Sequence, residues 1–205
     1  MKVLVKYGGI SLIAGGLFFI LTNVVFTPLV NMEAPFEEVA KSTMFSYRMI
    51  SAAITVIFFL CGAIGLHLYQ IESTNKFGHI TFFLTLIGCA FVLSNEWHQI
   101  FILPELARNS PEALASLSAS ENLNGYGLGA MIAALTFSLG WILFSISMIL
   151  SKAYSRLGPI LIIAGFFIIP TLSVILTPTW GGVIGSTIMG FAFCYLGREL
   201  LISKK

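Results

Sequence analysis

Six separate runs of about twenty predominantly apolar residues leave this chain few folds to choose from. The runs cover residues 7–30, 48–70, 79–103, 125–150, 158–177 and 180–201. Twenty such residues in a helix match the hydrocarbon thickness of a bilayer. The backbone of a spanning segment must satisfy its own hydrogen bonds, which restricts it to helices or a closed barrel. The runs are twice as long as barrel strands and do not alternate in polarity, so the expected class is all-α: a single polytopic transmembrane domain of six helices.

Composition agrees. The 205 residues are 57% hydrophobic and 10% charged, where a soluble domain carries about 25% charged residues. A net charge of +2 and scattered basic residues give no nucleic-acid footprint. All the acids are glutamate, which disfavours calcium loops and Mg²⁺-phosphate sites, both of which lean on aspartate. The cysteines Cys61, Cys89 and Cys194 lie inside apolar runs without a CxxC spacing. They read as packing residues rather than as disulfides or thiolate ligands. The first run follows Lys2 and Lys6 but is too long for a signal-peptide core and ends without a small-residue cleavage site. It is expected to remain as a span.

Lys and Arg placement sets the expected orientation. With the N-terminus inside, Lys2, Lys6, Lys76, Lys152, Arg156, Arg198, Lys204 and Lys205 are internal, against Lys41, Arg48 and Arg108 outside. Both termini are therefore expected in the cytoplasm, and the localisation in the plasma membrane of a bacterium or archaeon. Two external loops have room for short amphipathic helices, about 31–47 and 104–124. In the second, Ser110, Pro111 and Glu112 make a helix start. Residues 177–180 are expected to form a tight turn, and Pro170 to kink the fifth span. Small residues at intervals of four (Gly182, Ser186, Gly190 and Cys194; Gly125 and Gly129) and the pairs Gly8–Gly9 and Gly15–Gly16 suit close helix packing.

The polar segment Ser94-Asn95-Glu96-Trp97-His98-Gln99 interrupts the third span. Ionisable residues within a membrane are expensive and mark sites by default. Glu96 lies five residues past the middle of the span, about 7–8 Å toward the outer face at 1.5 Å per residue. Asn95, Glu96, His98 and Gln99 cover an arc of about 160° at 100° per residue, so one helix side must face protein or water. Arg48 enters the second span from the outer side and could reach Glu96. Tyr47, Asn23, Asn122, Asn124 and Tyr126 fall near the same depth. Together they would wall an outward-facing polar pocket, with Trp97 at the interface. The competing reading is an interhelical hydrogen-bond cluster that only fixes packing.

Other chemistry is poorly supplied. His67 and His98 lie at opposite ends of their spans and cannot share a haem. His67 and His79 face each other across a short hairpin but have no third ligand. No HExxH, GxSxG or phosphate-cradling glycine loop is present. Glu37-Glu38 begins like an intramembrane protease motif, but the arginine required four places on is Ser42. No metal, cofactor or catalytic set is expected.

The run Phe101-Ile102-Leu103-Pro104-Glu105-Leu106-Ala107-Arg108, continuing into Ser110-Pro111-Glu112-Ala113-Leu114, resembles small six-span bacterial and archaeal membrane proteins of unknown function. The stretch from Gly140-Trp141 through Lys152 to Leu157-Gly158 is similar to them as well. The resemblance covers about half the chain; it implies a prokaryotic plasma-membrane protein and lends no reaction.

The leading expectation is a non-enzymatic protein that binds or transports a small, apolar or weakly charged molecule from the outer face, with Glu96 and His98 setting its polarity or proton dependence. One alternative is a structural or regulatory subunit whose small-residue faces bind another copy or another membrane protein. The other is a membrane-embedded enzyme using Glu96 and His98 as acid and base.

Overall fold

A computed structural model describes residues 1–31, 34–118 and 125–203 of the protein. Six helices in it are long and apolar enough to cross a membrane, and the described residues contain no strand. The first span runs Lys2–Leu29, the second Thr43–Gln70, the third Lys76–Phe101, the fourth Gly125–Ser151, the fifth Leu157–Ile175 and the sixth Pro178–Ile202. Three short helices, Phe36–Lys41, Leu103–Asn109 and Pro111–Ser118, lie in the two longer connections. Each span packs on its neighbours in sequence, and the sixth closes back on the first, so the bundle is a six-helix ring. The two ends are named here the terminal end, where both termini lie, and the loop end, where the short helices lie.

Capping chemistry sets the boundaries. The Ser42 side chain accepts from the Phe45 N–H, Asn75 from Gly78 and Thr177 from Trp180, each satisfying an orphan donor of the first turn. The second span therefore starts five residues before its apolar run, which carries Arg48 into the helix rather than leaving it at its mouth. The expected tight turn shrinks to Leu176 and Thr177, because Pro178 already opens the sixth span. The fifth and sixth helices pack along each other as a hairpin, which makes them two spans rather than one re-entrant unit.

In lipid there is no hydrophobic drive between helices, so contact depends on how closely backbones approach. A Cβ on Gly8 would sit 2.5 Å from the Gly65 Cα, one on Gly16 2.5 Å from the Gly190 carbonyl, and one on Gly88 2.5 Å from the Phe137 Cα. These glycines bring the first span against the second and sixth, and the third against the fourth. The ring interior is filled with aromatic side chains. Phe59 and Phe193 lie 4.0 Å apart between ring centroids and Trp141 4.8 Å from Phe193, all three fully buried. These three rings plug the ring interior.

The terminal end is latched by polar contacts. Gln70, fully buried, donates to Ser147 (3.1 Å) and accepts from Ser151 (3.2 Å). The Tyr154 hydroxyl donates to the Leu66 carbonyl. Burial, with Tyr69 and Glu199 nearby, pushes that hydroxyl well above its ordinary pKa, so it remains a donor. Lys152, just past the fourth span, adopts φ 56°, a left-handed conformation that favours glycine.

Two stability outcomes follow from this geometry. Gly16→Ala should lower the stability of the detergent-solubilised protein by about 1–3 kcal/mol through overpacking, whereas Gly182→Ala, whose Cβ meets nothing within 4 Å, should not lower it; thermal melts followed by circular dichroism compare the two. Lys152→Gly should raise stability by about 1 kcal/mol by removing left-handed strain, read in the same melt.

Candidate functional site

The loop end of the ring holds an unusual density of polar groups, and the first span is deformed to receive them. Pro28 has no N–H to continue the helical ladder, and the turn before it, Leu21–Phe26, widens into a π-helix. Such bulges often occur at functional sites. Here the Thr22 carbonyl accepts from both the N–H and the hydroxyl of Thr27. Thr22 donates to the Phe18 carbonyl (2.8 Å) and meets the Ser51 hydroxyl at 2.7 Å, which leaves Ser51 as the donor. Thr27 in turn accepts from Arg48 Nε at 2.9 Å. The π-turn thus aims two buried hydroxyls at the second span and fixes the guanidinium of Arg48.

Glu96 reaches the same interior from the third span. It acts electrostatically on Arg48 on one side and on Tyr126 on the other, but it makes no direct ion pair. Among the described residues the ion pair is Arg108–Glu105, exposed at 2.8 Å. Glu96 Oε2 is buried without a hydrogen-bond partner, while Arg48 offers its terminal nitrogens only a weak contact with Met49 Sδ (3.9 Å). A half-buried carboxylate with one oxygen buried and a half-buried guanidinium, each under-bonded and without a direct contact, form a site with unmet demand.

The helix arc of the polar segment is divided between two environments. Glu96 faces the ring interior, with Arg48. Asn95 and His98, with Ser94, line a cleft of about 420 Å³ between the third and fourth spans, opposite Tyr126, Gly129 and Ala133. The His98 and Tyr126 rings are 5.6 Å apart, so Tyr126 links cleft and interior. Trp97 is 62% exposed and packs on Phe101 at 4.5 Å; it stands on the outer surface of the ring, away from both. Gln99 is half-buried and does not line the cleft. Tyr47 is exposed, and Asn23 donates to its own helix at Phe19 (2.9 Å), so neither joins the cluster. Asn122 and Asn124 lie outside the described residues.

The short helices roof the interior pair. Val39, Ala40, Leu103, Ala107 and Leu114 form a second apolar core with Phe45 and Met49. The described opening is therefore lateral, between the third and fourth spans, rather than straight out through the loop end.

The participants the sequence reading passed over are Thr22, Thr27 and Ser51. Their signal was present: hydroxyl residues inside apolar spans, with Pro28 one residue beyond Thr27. At the terminal end, His67 and His79 do meet, with 3.2 Å between ring nitrogens, and His67 stacks on Phe82 at 4.0 Å. No group of three or more His, Cys, Asp or Glu side chains among the described residues is placed to hold a metal. The chain matches no protein-family profile, no curated protein and no solved structure.

Thr27→Val keeps shape but removes the partner of Arg48 Nε. Leaving that half-buried charged donor unpaired should cost about 1–3 kcal/mol, measured by thermal melting; Thr171→Val, at an exposed hydroxyl bonded only to its own helix, serves as the control.

Proposed function

We propose that this multi-pass protein binds a small molecule at the loop end, in the cleft between the third and fourth spans, with the Arg48–Glu96 pair behind the cleft setting its polarity. The observation that carries the reading is the meeting of three features in one place: a 420 Å³ cleft, a band of neutral hydrogen-bonding side chains on its wall, and a buried carboxylate without a partner next to it. The volume lies within the range of ligand sites, and the mixture of apolar wall with a few converging polar groups is their usual character. An arrangement made only for packing would bring the carboxylate into contact with Arg48 or a hydroxyl, since an unsatisfied charge in a low-dielectric interior is costly.

The bias of Lys and Arg toward the terminal end favours a cytoplasmic location for the termini, which puts the cleft in the outer half of a plasma membrane of a bacterium or archaeon. The aromatic plug Phe59–Trp141–Phe193 would separate an outward-facing ligand from the inner side. Binding is the supported activity; movement of the ligand across the membrane would require the plug to part.

Native mass spectrometry of the protein in mild detergent should show a reproducible added mass on each chain. Glu96→Gln should lose that mass while its melt stays within a few degrees of wild type. A bare wild-type chain, or equal loss of binding and folding in the variant, would overturn the reading.

A further inference from the structure

The glycines divide into two kinds. A Cβ on Gly8, Gly9, Gly15, Gly16, Gly88 or Gly140 would strike a neighbouring helix at 3.0 Å or closer, so each is explained by packing. Gly125 and Gly129 are different: among the described residues a Cβ at either meets nothing within 4 Å. Gly129 nonetheless sits within the fourth span, where glycine is the poorest residue after proline, about 1 kcal/mol worse than alanine, while Gly125 opens that helix. The space they leave open is part of the cleft, since both line it.

The cleft has a direction. Phe91, Ala130, Ile132 and Ala133 line its deeper, apolar part, while Ser94, Asn95, His98 and Tyr126 line the part nearer the loop end. Phe91 and Ile132 are each 45% exposed, and Ser94 and Gly129 are exposed as well, so the mouth lies on the outer surface of the ring, at a level that a bilayer would cover. Ser94 is only about 8 Å beyond the middle of its span, Lys76–Phe101, at 1.5 Å per residue. A hydroxyl and an amide at that depth find no water. Among the described residues no Lys, Arg or Glu lines the cleft, and Glu96 behind Tyr126 disfavours an anion.

Resting on the small-molecule reading above, we infer that the occupant is a membrane-resident, single-chain amphiphile with an uncharged hydrogen-bonding headgroup, entering sideways from the outer leaflet. Its headgroup meets Ser94, Asn95, His98 and Tyr126, and its chain lies over the bare backbone at Gly129 against Phe91 and Ile132. The two glycines let that chain approach the helix axis more closely than any side chain would permit.

The test uses the full-length protein in phosphatidylcholine vesicles with a long-chain monoacylglycerol carrying a diazirine in its tail. Labelling should be saturable, should map to peptides containing residues 91–98 and 125–133, and should fall at least tenfold in Gly129→Leu. That substitution fills open space in a helix, so its thermal midpoint should be equal to wild type or higher. If a water-soluble four-carbon monoacylglycerol competes as well as the long-chain one, or if a fatty acid of the same length labels equally, a bilayer-derived uncharged amphiphile is ruled out while small-molecule binding stands. If Gly129→Leu leaves labelling intact but converts a dimer to a monomer, the notch seats a second copy and the inference fails. Absence of saturable labelling with a Glu96-dependent mass still bound overturns the amphiphile alone; absence of both overturns the site as well.

Discussion

Everything in this molecule depends on the absence of water from the layer it is shaped to occupy. An amide or hydroxyl in hydrocarbon has no solvent to fall back on, and apolar side chains gain little by leaving lipid for protein. Cohesion must then come from close approach and from polar groups that find one another. The close approach is visible at Gly8 on Gly65, at Gly16 on Gly190 and at Gly88 on Phe137. The pairing is visible at Gln70 with Ser147 and Ser151, where one buried amide fastens the second span to the fourth. These contacts join the first span to the second and sixth, the third to the fourth, and the second to the fourth.

The same constraint makes the loop end conspicuous. Pro28 could have been accommodated by a kink alone. Instead the preceding turn widens, and the carbonyl and hydroxyl groups it frees are used at once by Thr22, Thr27, Ser51 and Arg48. The chain thereby holds a guanidinium in place by its Nε while leaving its terminal nitrogens nearly idle, opposite a carboxylate that is also idle. The Tyr154 hydroxyl at the other end finds a helix carbonyl, whereas Glu96 Oε2, like His67 Nδ1, Trp141 Nε1, Ser145 Oγ and Glu199 Oε2, is buried without a partner, and near it Arg48 is under-bonded as well, under an apolar roof. Proteins commonly depart from their own packing rules where function asks for it.

The number of spans, their approximate limits and the short loop helices were legible because each rests on a local signal: an apolar run, or Ser110-Pro111-Glu112 at a helix start. That Arg48 and Glu96 lie at the same end of the ring was legible from depth alone, since neither could face lipid; that they form no ion pair was not. What was not legible is rotational. The sequence places Asn95, Glu96, His98 and Gln99 on one broad arc, but which part of that arc faces the ring interior and which faces the seam depends on where the fourth span docks. That is decided by Gly88 and Gly140 against Phe137 and Thr85, contacts some fifty residues apart in sequence. The π-turn was missed for a related reason: its cause, Pro28, is local, but its consequence is a hydrogen bond to Arg48 twenty residues on. Glycine spacing misled in a further way, because Gly125 and Gly129 share the interval of four seen at Gly182, Ser186, Gly190 and Cys194 without sharing their role.

That last difference bears on how a site can be recognised in a membrane bundle. An interval of four small residues describes a smooth helix face and says nothing about what lies against it; in the sixth span Gly190 meets the first span, while Gly182 meets nothing. The discriminating fact is whether the space in front of the glycine is filled and, if it is open, whether polar groups border it. At Gly182 none of the cleft's hydroxyl, amide or imidazole groups is near. At Gly129 the open space is continuous with Ser94, Asn95, His98 and Tyr126, and Tyr126 connects it to Glu96. Backbone left bare beside unsatisfied hydrogen-bonding groups, at a depth where water is absent, favours an occupant that supplies both an apolar chain and a polar head.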